Sequence, residues 1–191
     1  EGHFLHISTV EQGSLSKGDK VNASIDKERR LAIMRNHTTA HLLQYALRKV
    51  LGDHVHQAGQ LVNEKACRFD FNHFSAMTDN EIADVEAMVN ASIMAAIPVT
   101  MKEMPIEEAR KLGAMALFGE KYGNTVRVVT AGDSIEFCGG THVSNTSQIG
   151  LFKIVSESSV AAGVRRIEAV TGMGVIELLN GYKNTIISAA K

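Results

Sequence analysis

Residues 30–51 read RLAIMRNHTTAHLLQYALRKVL. Ile33, Ala40, Leu43, Ala46 and Leu47 recur at helical spacing, and the run holds no glycine or proline. The pattern predicts a long helix around which the remaining elements must pack. In a helix, residues four apart share a face one turn from each other. His37 and His41 therefore aim two imidazoles at one small volume, an arrangement that suits a borderline-soft cation such as zinc. The pair alone does not make a site, because zinc usually takes four ligands and such pairs also arise by chance.

Upstream of this helix, residues 1–26 read as β. The stretch from Phe4 to Ile7 is a strand candidate, Gly13 to Gly18 is a turn-rich link, and Lys20 to Ile25 alternates polar and apolar. Two strands are not stable alone, so the segment is expected to be the tail of a β-barrel-like domain whose beginning is absent. The missing initiator methionine fits a piece of a longer protein. Downstream, Gly52 is a natural helix stop. His54–Val62 and Ala66–Phe71 read as strands joined through Asn63, Glu64 and Lys65. Thr78 and Glu81 form a capping box that opens a helix to about Ala96, with Ile82, Val85, Met88, Val89 and Ile93 as its buried stripe. Val99–Met104 is a strand after Pro98, and Ile106–Leu112 a short helix after Pro105 closed by Gly113. Ala114–Gly123 is ambiguous. Thr125–Thr130, Ser134–Cys138, Gly150–Glu157 and Arg165–Thr171 are strand candidates, and Val175–Lys191 is a last helix. Helices interleaved with hairpins, without βαβ alternation, predict an α+β fold: an antiparallel or mixed sheet with helices packed on one face. The expected units are residues 1–26, a core over 27–174, and a helical linker over 175–191.

Composition sets bounds on function. With 45% apolar and 21% charged residues, a chain of 191 residues can bury a sizeable core. A net charge of −1 excludes a generally basic nucleic-acid binder but allows a local grip on one end of an RNA. Two cysteines, Cys67 and Cys138, do not make a disulfide scaffold and favour a reducing, cytoplasmic setting. No apolar run reaches membrane-spanning length, and the first residues lack the features of a signal peptide.

Cys138 and His142 flank Gly139, Gly140 and Thr141 at the end of a predicted strand, where the glycines allow a sharp turn and close approach to a ligand. Together with His37 and His41 they form a His₃Cys set, all good zinc ligands. The plainer reading makes Cys138 a small buried hydrophobe and His142 a hydrogen-bonded core residue. A metalloprotease helix would need Glu after its first His as general base. Thr38 stands there, so that class falls.

The segments RNHTTAHLL (35–43), MALFGEKY (115–122), EFCGGTH (136–142), SES (156–158) and GVRRIEAVTG (163–172) closely resemble the editing domain of bacterial alanyl-tRNA synthetase, in the family's order. The resemblance runs from about Lys27 to Gly174. It implies hydrolysis of serine or glycine wrongly esterified to the acceptor end of the alanine tRNA, with the rest of the synthetase, including its ATP-binding part, outside this chain. One departure is Ala40, where the family often has Thr. The editing domain of threonyl-tRNA synthetase is similar in its His and Cys motifs, but 118–122 and 164–168 favour the alanyl family. A non-catalytic structural zinc module that binds RNA and a freestanding editing protein are the other classes to separate.

The resemblance implies a Gln on the strand after the helix, here Gln57, and its plain alternative is an exposed strand polar. A pocket that hydrogen-bonds the serine hydroxyl rejects alanine, because its own polar groups would be left unpaired. Thr38 and Thr39 are further candidates, although mid-helix threonines more often bond their own backbone. Gly139 and Gly140 can offer N–H groups to the ester carbonyl. Arg165 and Arg166, adjacent on a strand, point to opposite faces, so one is free to meet an RNA phosphate while the other pairs with an acid. Zinc either lowers the pKa of a water toward about 7 or holds the substrate's amino group. Four protein ligands, however, are the mark of closed structural centres. His3, His6, His54, His56 and His73 lack ligand spacing with the main four and read as surface or structural.

Overall fold

The long helix is α1 (Lys27–Leu51) in a computed structural model that describes residues 5–116 and 122–191. Asp26 caps it by accepting the Arg29 N–H at 2.9 Å. Gly52 ends it at a φ of 114°, where a side chain would be strained. Every residue from Thr38 to Gln44 is buried, so the helix is enclosed on all sides rather than along one stripe. The chain then runs through β1 (Gln57–Val62), β2 (Cys67–Asn72), α2 (Asp79–Met94), β3 (Val99–Pro105), α3 (Ile106–Lys111), β4 (Thr125–Ala131), β5 (Ser134–Phe137), a 3-10 turn at Thr146–Ile149, β6 (Phe152–Ala161), β7 (Val164–Thr171) and α4 (Met173–Ala189).

The architecture is α+β, but the strands form two antiparallel sheets rather than one. The first has the order β1-β2-β7-β6 and the second β3-β4-β5. The division follows from long-range pairing that periodicity cannot reveal: Cys67 lies opposite Ala169, about a hundred positions away. The β1–β2 hairpin closes at Asn63, whose side chain accepts the N–H groups of Lys65 and Ala66. On α2, Thr78 and Glu81 make the expected capping box. Val85, Val89 and Ile93 are fully buried, with Ile82 and Met88 beside them.

The main core joins Leu43 and Leu47 of α1 to Phe69, Phe71, Val85 and Ile167. A smaller cluster of Ala109, Val126, Val128 and Phe137 holds α3 to the second sheet. Helix α1 touches α2, β1, β2 and β7 of the first sheet, and β5 of the second. Its polar residues are therefore carried into the junction of the two sheets, where each needs a partner.

The expectation of strands before α1 is corrected. Residues 5–26 hold no strand, and Leu5, Ile7, Val10, Leu15, Val21 and Ile25 are all exposed. Alternation alone cannot make a strand without an edge to pair with. Phe4 lies outside the described residues. At the other end, α4 packs on β7 through its first turns and has only Val175 buried. Among the described residues no helix is long and apolar enough to cross a membrane.

Candidate metal centre

His37 and His41 project from α1 toward the turn that follows β5. Cys138 Sγ lies 3.5 Å from His37 Nε2 and 3.3 Å from His142 Nε2. One ligand atom from each of His37, His41, Cys138 and His142 falls within 4.8 Å of the others. A tetrahedron with bonds of about 2.0–2.3 Å has edges of about 3.3–3.8 Å, so the thiol distances suit zinc directly. An independent sign comes from His41, whose Nδ1 is buried with no hydrogen-bond partner. A buried polar atom left alone is costly, and a cation supplies what it lacks. The donor set therefore fits zinc.

Burial also keeps the imidazoles neutral, the form that binds metal. It holds His142 down to about 3, helped by the nearby His37 and Arg127. His41 is pushed well below its usual value by burial and then by His142 and His37. His37 is lowered by burial, against a hydrogen bond to the Thr141 backbone. Cys67, by contrast, is deep in the core of β2, and burial pushes its thiol up to about 12. It is not near this centre.

The surrounding contacts fix the donors. Thr38 Oγ1 donates to the Met34 carbonyl at 2.9 Å and accepts the Val143 N–H at 3.1 Å. With its one proton spent, it can only accept from His142 Nδ1, at 3.1 Å. That assigns the proton to Nδ1 and leaves the Nε2 lone pair facing the thiol. Glu136 is buried 3.6 Å from His41 Nε2, and burial pushes its carboxyl up to about 8 against the Ser134 hydroxyl. Arg127 donates to the carbonyls of Cys138 and Gly140 at 2.8 and 2.7 Å, which holds the turn closed. With His37 in this position only glycine fits at 140, because a Cβ there would overlap the His37 ring.

A cavity of about 520 Å³ opens beside the centre, with His37, Cys138, Gly139, Gln57, Gln60 and Arg127 among its walls. Val62, Val126 and Phe137 supply the apolar part. Gln57 thus lines the same cavity as His37 and Cys138. Gln60 was missed because a regular strand sends residues three apart to opposite faces. The β1–β2 register shifts between Gln57 and Gly59, and such a bulge re-aims the side chains so that both amides line one cavity. Gly59, next to Asp70 across the pair, was the available signal. Arg127 and Glu136 were also missed. Each is the one charged residue of its strand, and that was their mark.

The other expected residues are elsewhere. Thr38 is fully buried behind His142 and does not line the cavity. Thr39 is fully buried with its hydroxyl on the Arg35 carbonyl at 2.9 Å, the ordinary use of a mid-helix threonine. The Gly140 N–H is directed to Cys138 Sγ at 3.4 Å, so it is committed to the ligand rather than to a substrate oxygen. Gly139 is exposed on the cavity wall. Both arginines of β7 are paired with an acid: Arg165 with Glu157, and Arg166 with Asp70 through two bonds of 2.7 Å. Opposite faces did not leave one unpaired, because each face offers a cross-strand carboxylate. Of the segment 115–122, residues 117–121 lie outside the described residues, and Tyr122 lines the cavity.

Comparison with known proteins gives consistent relatives. Residues 126–168 match the family described as threonyl and alanyl tRNA synthetase second additional domain, a stretch that includes Cys138 and His142. The chain is 61% identical over 93% of its length to an alanine–tRNA ligase of Acetivibrio thermocellus, of which it covers 20%. It is 57% identical over 97% of its length to the alanine–tRNA ligase of Thermotoga maritima and 55% identical over all of it to alanine–tRNA ligase 1 of Lachnoclostridium phytofermentans, covering 22% of each. The chain thus spans about a fifth of the length of these relatives.

Proposed function

We propose that this chain, which belongs to the alanine–tRNA ligase family, is its proofreading part: it hydrolyses the ester joining serine or glycine to the acceptor end of the alanine tRNA, with zinc held by His37, His41, Cys138 and His142. The observation that carries this reading is the convergence of those four donors beside a cavity that two of them, His37 and Cys138, line together with Gln57 and Gln60. Bound zinc would supply Lewis acidity for ester cleavage. The other parts belong to the chain. Thr38 fixes the His142 tautomer, Glu136 backs His41, and Arg127 holds the turn that presents Cys138 and Gly139. For the serine ester, Gln57 donates to and accepts from the side-chain hydroxyl, a contact that neither an alanyl nor a glycyl ester can make. The remainder of the synthetase is the natural partner for the body of the tRNA.

The closed set of four protein donors also favours a second reading, a structural zinc module that binds RNA without catalysis. Both readings expect zinc on elemental analysis. Incubation with seryl-tRNA separates them: release of free serine faster than the spontaneous rate supports the hydrolase, and a rate equal to the spontaneous one leaves the structural module.

A further inference from the structure

The chain carries a second group of rings. Phe74 is 82% exposed, yet it is not a lone surface hydrophobe. Its ring centre lies 4.6 Å from that of His73 and 5.6 Å from that of His54, at interplanar angles of 36° and 32°. His54 and His73 stack at 5.2 Å and 25°. This ledge is fixed from below. His73 is buried, its Nδ1 is 2.9 Å from His54 Nε2, its Nε2 is 3.3 Å from Ser75 Oγ, and its N–H donates to Gly163. A cavity of about 420 Å³ adjoins it, lined by His54, His56, Gln57, Ala58 and Asn72, a size typical of ligand sites.

Gln57 lines this cavity and the metal cavity alike, so the two meet at one residue. A ligand whose reacting end enters the metal cavity would extend its next part over Gln57 toward the ledge. The exposed rings of His54 and Phe74, tilted by 32° to each other, match the face of an unstacked nucleobase, and the Asn72 amide, exposed at the rim, matches its hydrogen-bonding edge. Stacking also suits a chain with a net charge of −1, since it does not depend on phosphate contacts. We propose that His54 and Phe74, backed by the buried His73, form a stacking ledge for an unpaired base at the 3′ end of the substrate RNA, next to the cavity lined by His37 and Cys138. The assignment rests on the hydrolase reading above for the identity of the RNA, and on the rings and the shared Gln57 for the site.

The test is a binding measurement on the zinc-loaded chain with a 5′-labelled, unacylated single-stranded oligoribonucleotide and its counterpart abasic at the last two residues. Phe74→Ala should weaken binding of the intact oligonucleotide by about 5- to 150-fold, the equivalent of about 1–3 kcal/mol for one stacked base, and leave the abasic one unchanged. Phe74→Trp should retain affinity. Melting curves check that the exposed position leaves the fold intact. Equal affinity of wild type and Phe74→Ala for the intact oligonucleotide overturns the ledge and makes the ring a protein contact; so does failure of the wild type to bind at millimolar concentration. Seryl-tRNA hydrolysis measured in parallel keeps the two ideas apart. Hydrolysis with no effect of Phe74→Ala on binding overturns the ledge alone, and a binding loss without hydrolysis supports the ledge while the hydrolase reading falls.

Discussion

The imidazoles of His37, His41 and His142 lie 4.3–5.5 Å apart, centre to centre, and those of His54 and His73 lie 5.2 Å apart. Spacing does not distinguish the two groups. Their nitrogens do. His54 and His73 bond each other at 2.9 Å, and Ser75 is within reach of the remaining nitrogen of His73. In the first group, Thr38 occupies His142 Nδ1, the Thr141 backbone occupies His37, and what remains faces a thiol or, at His41 Nδ1, nothing. A metal centre is marked by donors kept from other partners, with neighbours that hold the opposite side of each ring.

The strongest test breaks the first group and spares the second. Cys138→Ala should lose zinc, ester hydrolysis and stability together. Metal present at a thousand times its dissociation constant contributes about 4 kcal/mol, so its loss should lower Tm by about 8–16 °C in a chain of this size. His54→Ala should keep zinc at full stoichiometry. Equal zinc content in both variants would erase the distinction between the groups.

Gln57 sits between the two cavities and tests whether the first one selects. Gln57→Ala should keep zinc and a normal Tm yet lose about 10- to 100-fold in seryl-tRNA hydrolysis, about 1.4–2.7 kcal/mol of transition-state stabilisation. An unchanged rate would move selection to Gln60. A third pair of variants asks whether neighbours matter as argued. Thr38→Val should weaken zinc binding by about 10- to 100-fold, since it frees the far side of His142. Thr39→Val, one residue on and equally buried, should not, because its hydroxyl serves only the Arg35 carbonyl.

These contrasts also mark what the sequence could tell. The period of α1, the capping box at Thr78 and the two donor pairs, His37 with His41 and Cys138 with His142, depend on local spacing, and each is present in the structure. The roles of Thr38, Gln60 and Arg127 depend on what lies across a gap of many residues. Thr38 meets His142 over a separation of 104 positions, and Gln60 reaches the cavity through a bulge. Residues 5–26 carry a strand pattern but no partner edge, and pairing rather than pattern makes a strand.

The smallest expected effect concerns pH and the second group alone. His73 is lowered from its usual value by burial first and then by the charge of His54, against Glu81 and Glu157. The folded state therefore keeps His73 neutral where the unfolded chain, near its ordinary value of about 6.5, takes up a proton. The unfolded state binds more protons as pH falls, so the contribution of His73 is complete above about 6.5 and is lost as pH drops through its folded pKa. His37, His41 and His142 are lowered in the same direction, but their share is common to wild type and a His73→Gln variant and cancels in the difference. With saturating zinc, the Tm of wild type should therefore fall more steeply than that of His73→Gln between pH 7.5 and 5.5. The difference should stay below the about 2–4 °C that 1 kcal/mol produces in a chain of this length. Parallel curves would mean that the His54–His73 bond survives protonation, and that this pair is held by its rings and by Gly163 rather than by a neutral imidazole.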